Sequence, residues 1–221
     1  MKADGSEMTK LTKSPGEYIY PAEVNLFGRP IAQKLLSCSA LIPDSKFYTI
    51  NADGTNLNFS TNNPKNEVYN VKLFWSSPDN SRIAYYYNKP GDLAGEQQDI
   101  YLLGINRETA KNLTQKTRNY DELLWSPDDQ LIACVAGEFN NQKLYTINAD
   151  GDQLNQLAPQ LEPSGISELA WSSDSQEIAF IYKEIQGDKS NLYVINRDGS
   201  GLTKLTNNKD LKASSPVWQP Q

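Results

Sequence analysis

Two glutamates, Glu122 and Glu168, each stand three residues before a tryptophan, Trp125 and Trp171, and Asp121 precedes the first of them. Glycoside hydrolysis uses a carboxylate pair, one group as acid and the other as base or nucleophile. Such a pair needs a set separation and one partner buried enough to keep its proton. Nothing in the sequence supplies either. Tyr20, Lys72 and Ser215 hold the equivalent place in three similar segments, which reads as a polar rim and not as a catalytic pair.

Other chemistry narrows quickly. The chain has no histidine. That removes Ser-His-Asp and Cys-His nucleophiles, His-ligated zinc and the commonest general base. Cys38 and Cys134 lie in the apolar stretches LLSCSALI and LIACVAG and are expected to be reduced, buried, small hydrophobes. Asp4, Asp53, Asp79, Asp128, Asp150 and Asp198 invite comparison with calcium ligands. A calcium site needs several oxygens converging from a loop, whereas these aspartates recur once per repeat in turn sequences. They are read as turn formers, and neither a metal nor a cofactor is expected. Tyrosine with asparagine suits sugar or peptide recognition. Tyr69 and Tyr120 are placed in loops between repeats and are the surface candidates. The longest loop, at 88–99, reads as a tolerated insertion.

These residues need a scaffold, and composition limits which one. The 221 residues are 38% hydrophobic with a net charge of −6, enough for one soluble domain or one repeat array. Lysines are scattered among acids, without the basic stripe of a nucleic-acid binder. No apolar run nears the ~18–20 residues that span a bilayer, and MKADGSEMTK has no apolar signal-peptide core.

The scaffold is repetitive. FWSSPDNSRIAYYY, LWSPDDQLIACVA and AWSSDSQEIAFIY start at 74, 124 and 170. Each is followed by a second motif, as in KLYTINADGDQLNQLA from 143 and NLYVINRDGSGLTKLT from 191, and KFYTINADGTNLNFST from 46 is a further copy. The intervals between Trp75, Trp125, Trp171 and Trp218 are 50, 46 and 47 residues, near the period of a four-stranded propeller blade. The apolar runs are β-branched and aromatic, as buried strands require. Asp-Gly supplies the positive φ of a tight hairpin. Each period therefore predicts four strands: one ending at Trp, then IAxxx, LYxIN and a last one ending in LT. Stacking such sheets buries faces that one sheet cannot bury alone, with Trp75, Trp125 and Trp171 between blades.

WSPDD…LIA…LYTINADGDQLNQL resembles the TolB-type β-propeller repeat, whose pattern is W-S-P-D-G…I-A-F…I-Y-x-M-N-x-D-G-x-x-x-x-L-T. The match covers 69–206 well and 43–61 in part. The resemblance implies an all-β propeller of four-stranded antiparallel blades, over 13–62, 68–115, 119–160 and 165–207. Residues 1–12 and 208–221 form a split closing blade, the whole of 1–221 making a single domain. MKADGSEMTKLT copies NRDGSGLTKLT at 196–206. This places 6–12 as an outermost strand and 213–218 as an innermost one, with two strands missing between them. Either the ring closes imperfectly or the chain begins at an internal methionine of a longer protein.

In this architecture Tyr20, Lys72, Glu122 and Glu168 form a mixed ring at the channel mouth, with Asp121, Tyr69 and Tyr120 beside it. The expected function is a non-catalytic binding or scaffold module that offers one propeller face to a protein partner. A lectin-like or small-ligand propeller is the alternative, and the propeller part of a larger enzyme such as a serine peptidase a more distant one. The resemblance implies a periplasmic or extracellular setting. The incomplete blade suggests a dimer or strand-swapped assembly.

Overall fold

Short apolar runs between Ser/Asp turns become antiparallel strands throughout. The computed structural model describes residues 19–21, 34–39, 46–51, 58–59, 74–79, 81–87, 99–104, 110–114, 119–138, 140–151, 153–162, 164–184, 189–207 and 213–219, all in strands, turns or irregular segments. The expectations for residues 1–12, Tyr69, Lys72 and the loop core at 88–98 lie outside these residues, as do those for the side chains of Tyr20, Cys38 and Trp75.

The chain divides into two compact units, Met1–Asn70 and Val71–Gln221. The first holds one sheet, blade 1: β1 (Ile19–Pro21), β2 (Lys34–Ser39), β3 (Lys46–Asn51) and β4 (Asn58–Phe59). Tyr20 lies in β1, paired with Cys38 of β2. The second unit holds three sheets. Blade 2 is β5 (Phe74–Ser76), β6 (Arg82–Tyr87), β7 (Asp99–Gly104) and β8 (Lys111–Asn112). Blade 3 is β9 (Tyr120–Trp125), β10 (Leu131–Glu138), β11 (Asn141–Asn148) and β12 (Leu154–Gln156). Blade 4 is β13 (Gly165–Trp171), β14 (Glu177–Lys183), β15 (Ser190–Asn196) and β16 (Thr203–Lys204). Within each sheet the strands pair in chain order.

The second strand of blade 3 shows why stacked sheets are needed. Residues 132–136 are all buried, so both faces of β10 are covered. Ile132, Cys134 and Ala136 join Tyr86 and Ile100 of blade 2, with Tyr120 and Trp125, in one core. Ala133 and Val135 join Ile166, Trp171, Ile178 and Phe180 of blade 4 in another. Strand alternation sends successive side chains to opposite neighbours. Trp125 and Trp171 are thus buried between blades, and Cys134 is a buried cysteine outside any disulfide.

The turns repeat atom for atom. Ser77, Ser126 and Ser172 donate their hydroxyls to Asp79, Asp128 and Asp174 at 2.5, 2.6 and 2.6 Å. The same hydroxyls accept the N–H groups of Arg82, Leu131 and Glu177 at 3.0, 2.9 and 2.9 Å. Each Asp also accepts the amide two residues on, from Ser81, Gln130 and Gln176. Turn formation accounts for these aspartates, as their spacing suggested. At the hairpin between β15 and β16, Gly199 has φ +90° and donates to the Asn196 carbonyl at 2.9 Å.

The expectation of a strand at 213–218 needs correction. The segment belongs to none of the four sheets. It runs beside blade 4 through ties made largely by side chains, and a strand requires a ladder partner, which it lacks among the described residues.

Candidate functional site

The first strands β9 and β13 begin at one end of their blades, and both are bulged there. In β9 the register against β10 slips between Val135 and Ala136, so Val135 faces Glu122 while Ala136 faces Tyr120. In β13 it slips between Ser167 and Ala170. A bulge adds one residue and inverts the alternation beyond it. The residue five before each Trp, Tyr120 or Ile166, therefore turns back into the core.

This corrects the placement of Tyr120. Expected in an exposed loop, it opens β9, is only 4% exposed, and stacks on Tyr86 of blade 2 with ring centroids 5.9 Å apart. The sequence carried a signal for it. YDELLW and ISELAW share an apolar residue, two polar residues and then the run into Trp, which is the pattern of a bulge and not of simple alternation.

The two polar positions face the end of the blades. Glu122 is half-buried, and its Oε1 accepts the Leu169 N–H of blade 4 at 2.9 Å. The Glu168 N–H donates to the same carboxylate. Glu168 itself has φ +58°. Consecutive amides around a left-handed residue converge into a nest that suits an anion, and here the bulge of blade 4 holds the carboxylate of blade 3. The pattern then repeats: Glu168 Oε2 accepts the Ser215 N–H, and Ser215 has φ +50°.

Burial pushes the Glu122 carboxyl above its ordinary value. The amides of Leu169 and Glu168 oppose this, while the charges of Glu168 and Asp121 add to it. Gln142 makes a second crossing: its amide donates to Asp121, and its Oε1 accepts the Ile166 N–H at 3.0 Å. The structure thus brings Asp121, Glu122 and Glu168 together, with Gln142 as a member the sequence reading missed. Gln142 stands at the start of a third strand, where no repeat motif marks it.

At the other end, Asp128 bonds Arg197 at 2.8 Å across blade 4. Burial works against the charge of Asp128, but its bonds from Ser126 and Arg197 outweigh this and hold it below the ordinary carboxylate value. Arg82 donates to the Asp129 carbonyl at 2.7 Å and lies over the Trp125 ring at 5.0 Å. These groups tie blade to blade. Among the described residues, no three acids or cysteines gather closely enough to hold a metal ion.

No protein-family model matches the sequence, and no curated protein matches it either. Solved structures do match. TolB from Acinetobacter baumannii superposes with TM-score 0.63 at 16% identity, over 92% of this chain and 47% of that one. Oligogalacturonate lyase in complex with manganese gives TM-score 0.71 at 12% identity, over 90% of this chain and 55% of that one. The β-propeller domain of the Trilobed protease from Pyrococcus furiosus, described as having an open velcro topology, gives 0.59 at 13% identity, over 92% and 61%. The chain has the TolB-type β-propeller fold, and it spans roughly half to three-fifths of the length of these structures.

Proposed function

We propose that this TolB-type propeller is a non-catalytic binding module that offers the Asp121–Glu122–Glu168 end of its blades to a protein partner outside the cytoplasm. One observation carries the reading. Glu122 and Glu168, the residues best placed for acid–base work, are each engaged by main-chain amides of the next segment along the chain. They hold blades in register, while Asp121 beside them is exposed and bonded to Gln142. The burial of Tyr120 removes one of the two aromatics on which a sugar-stacking alternative drew. Fold likeness reaches binding proteins and enzymes alike and decides nothing between them. The extracytoplasmic setting rests on the repeat resemblance.

Peptide display against the immobilised chain, run beside a glycan array, tests the proposal. Selected peptides should bind saturably, lose at least about tenfold in affinity with Asp121→Lys, and be indifferent to Asp198→Lys at the opposite end. Retention of glycans, or turnover of an oligosaccharide that Glu122→Gln abolishes, would overturn it.

A further inference from the structure

Gln142 and Ser190 hold the same place in the repeat, three residues before Tyr145 and Tyr193. Each ties its blade to the segment that follows, but by different atoms. The Ser190 carbonyl accepts the Ala213 N–H at 3.2 Å, and its hydroxyl donates to the Ala213 carbonyl at 3.1 Å. Between blades 3 and 4 the donor at the same distance from Trp is Ile166. Its N–H goes to a side chain, Gln142 Oε1, at 3.0 Å. The Gln142 N–H is itself engaged by the Ser164 carbonyl at 2.9 Å. Other ties are alike at both places. Trp171 Nε1 donates to the Leu124 carbonyl and Trp218 Nε1 to the Ala170 carbonyl, each at 3.0 Å.

The long side chain of Gln142 does what a serine cannot. Ile166 offers a donor, so the glutamine must meet it with its oxygen and keep its nitrogen for an acceptor. That acceptor is Asp121 Oδ2. Asp121 is exposed, whereas Ile166 is buried in the core shared by blades 3 and 4. One side chain therefore links a surface carboxylate to a main-chain donor of the next blade. Blade 4 carries Ser167 where blade 3 carries Asp121, so it has no carboxylate to link. Ser190 shows that the repeat can seat its next segment without such a pair. The Gln142–Asp121 pair is an addition to that need, and the carboxylate keeps lone pairs for further donors.

We infer that Gln142 is a positioning residue that couples Asp121 to the junction of blades 3 and 4. It holds the Asp121 carboxylate in one orientation for a donor group of the protein partner, and a partner bound there tightens the bond from Ile166. Fixing the Asp121 and Gln142 side chains costs conformational entropy, and whichever contact forms second meets side chains already ordered. The coupling is reciprocal, so the affinity that a partner gains through Gln142 returns as added protection of Ile166. This deepens the binding-module reading and rests on it, since it names the residue that prepares Asp121 for a partner.

Amide exchange on the full 221-residue chain without ligand is the first arm of the test. Asp121→Ala should speed exchange at Ile166 by at least about fivefold and leave Leu169, held by Glu122, slow. In a Gln142→Met background the same change should add nothing at Ile166. Peptides selected by display on the parent chain are the probe of the second arm. They should slow exchange at Ile166 by at least about threefold in the parent, leave it unchanged in Gln142→Met, and bind that variant at least about threefold more weakly. A glutamine that only held the blades together would leave Ile166 unresponsive to the peptide. Exchange at Ile166 that ignores Asp121→Ala, or peptides that bind the parent and Gln142→Met alike, would overturn the inference and leave the binding module standing. If display yields no peptide while Asp121→Ala still acts on Ile166 through Gln142, the coupling stands and the binding-module reading fails.

Discussion

The junction between blades 3 and 4 and that between blade 4 and residues 213–219 share their side-chain ties and differ in their ladders. In the first, an inner strand is held by an indole bond and a glutamate nest, and three more strands continue its sheet. In the second, the same two ties are present and no sheet follows among the described residues. Side-chain ties and one main-chain bond to blade 4 thus hold residues 213–219 in the place of an inner strand without making them one among the described residues.

The largest test of that difference is removal of the two indoles. Trp171→Ala empties a buried site packed against Ile178 and Phe180 and should cost about 3–5 kcal/mol. Trp218 is half-buried, and Trp218→Ala should cost about 1–2 kcal/mol. Urea unfolding measures both. Equal losses would mean that the two junctions are energetically alike and that the ladder adds nothing.

A smaller effect separates the closed turn of blade 4 from the open segment. Ser172→Ala removes a hydroxyl that donates to Asp174 and accepts the Glu177 amide, which should cost about 1–2 kcal/mol. Ser214→Ala, at an exposed position, should stay within about 0.5 kcal/mol. A comparable loss at Ser214 would show that 213–219 has local order of its own.

The smallest effect concerns the nest. The folded chain holds the Glu122 proton more tightly than the unfolded chain does, because burial raises its carboxyl pKa. That stabilising contribution is complete below the unfolded value and is lost as pH rises through the raised one. Glu122→Gln keeps an acceptor for Leu169 and cannot titrate. It should be more stable than the parent by less than about 1 kcal/mol near neutral pH, with the gap closing below about pH 4.3. Asp128 has the opposite sign: hydrogen bonds depress its value, so its contribution disappears as pH falls through that depressed value. A gap for Glu122→Gln that widens in acid would contradict the assignment of burial as the cause.

The strands and turns were legible in the sequence because they answer to short-range rules. WSPDD and NRDG specify local hydrogen bonds, and IACVA and IAFIY are apolar at every position because both faces of a second strand are covered. Tyr120 was misplaced because it was read as part of a loop between repeats, whereas β9 begins at it and a bulge turns it into the core. The roles of Glu122 and Glu168 escaped for a related reason. Their partners, Leu169 and Ser215, lie 47 residues away in the chain and offer backbone amides, which leave no mark in residue type. Gln142 was invisible on the same ground, as it joins Asp121 to the amide of Ile166.

Amide hydrogen exchange at single-residue resolution tests the central claim most directly, comparing Leu169, Ser215 and Val217 in the parent chain and in Glu168→Ala. The nests predict slow exchange at Leu169 and Ser215 and fast exchange at Val217. Glu168→Ala should accelerate Ser215 by at least about tenfold and leave Leu169 slow. Ser215 exchanging at the unprotected rate in the parent chain, or unaffected by the substitution, would contradict the account, because residues 213–219 would then not be seated on blade 4 as β13 is seated on blade 3.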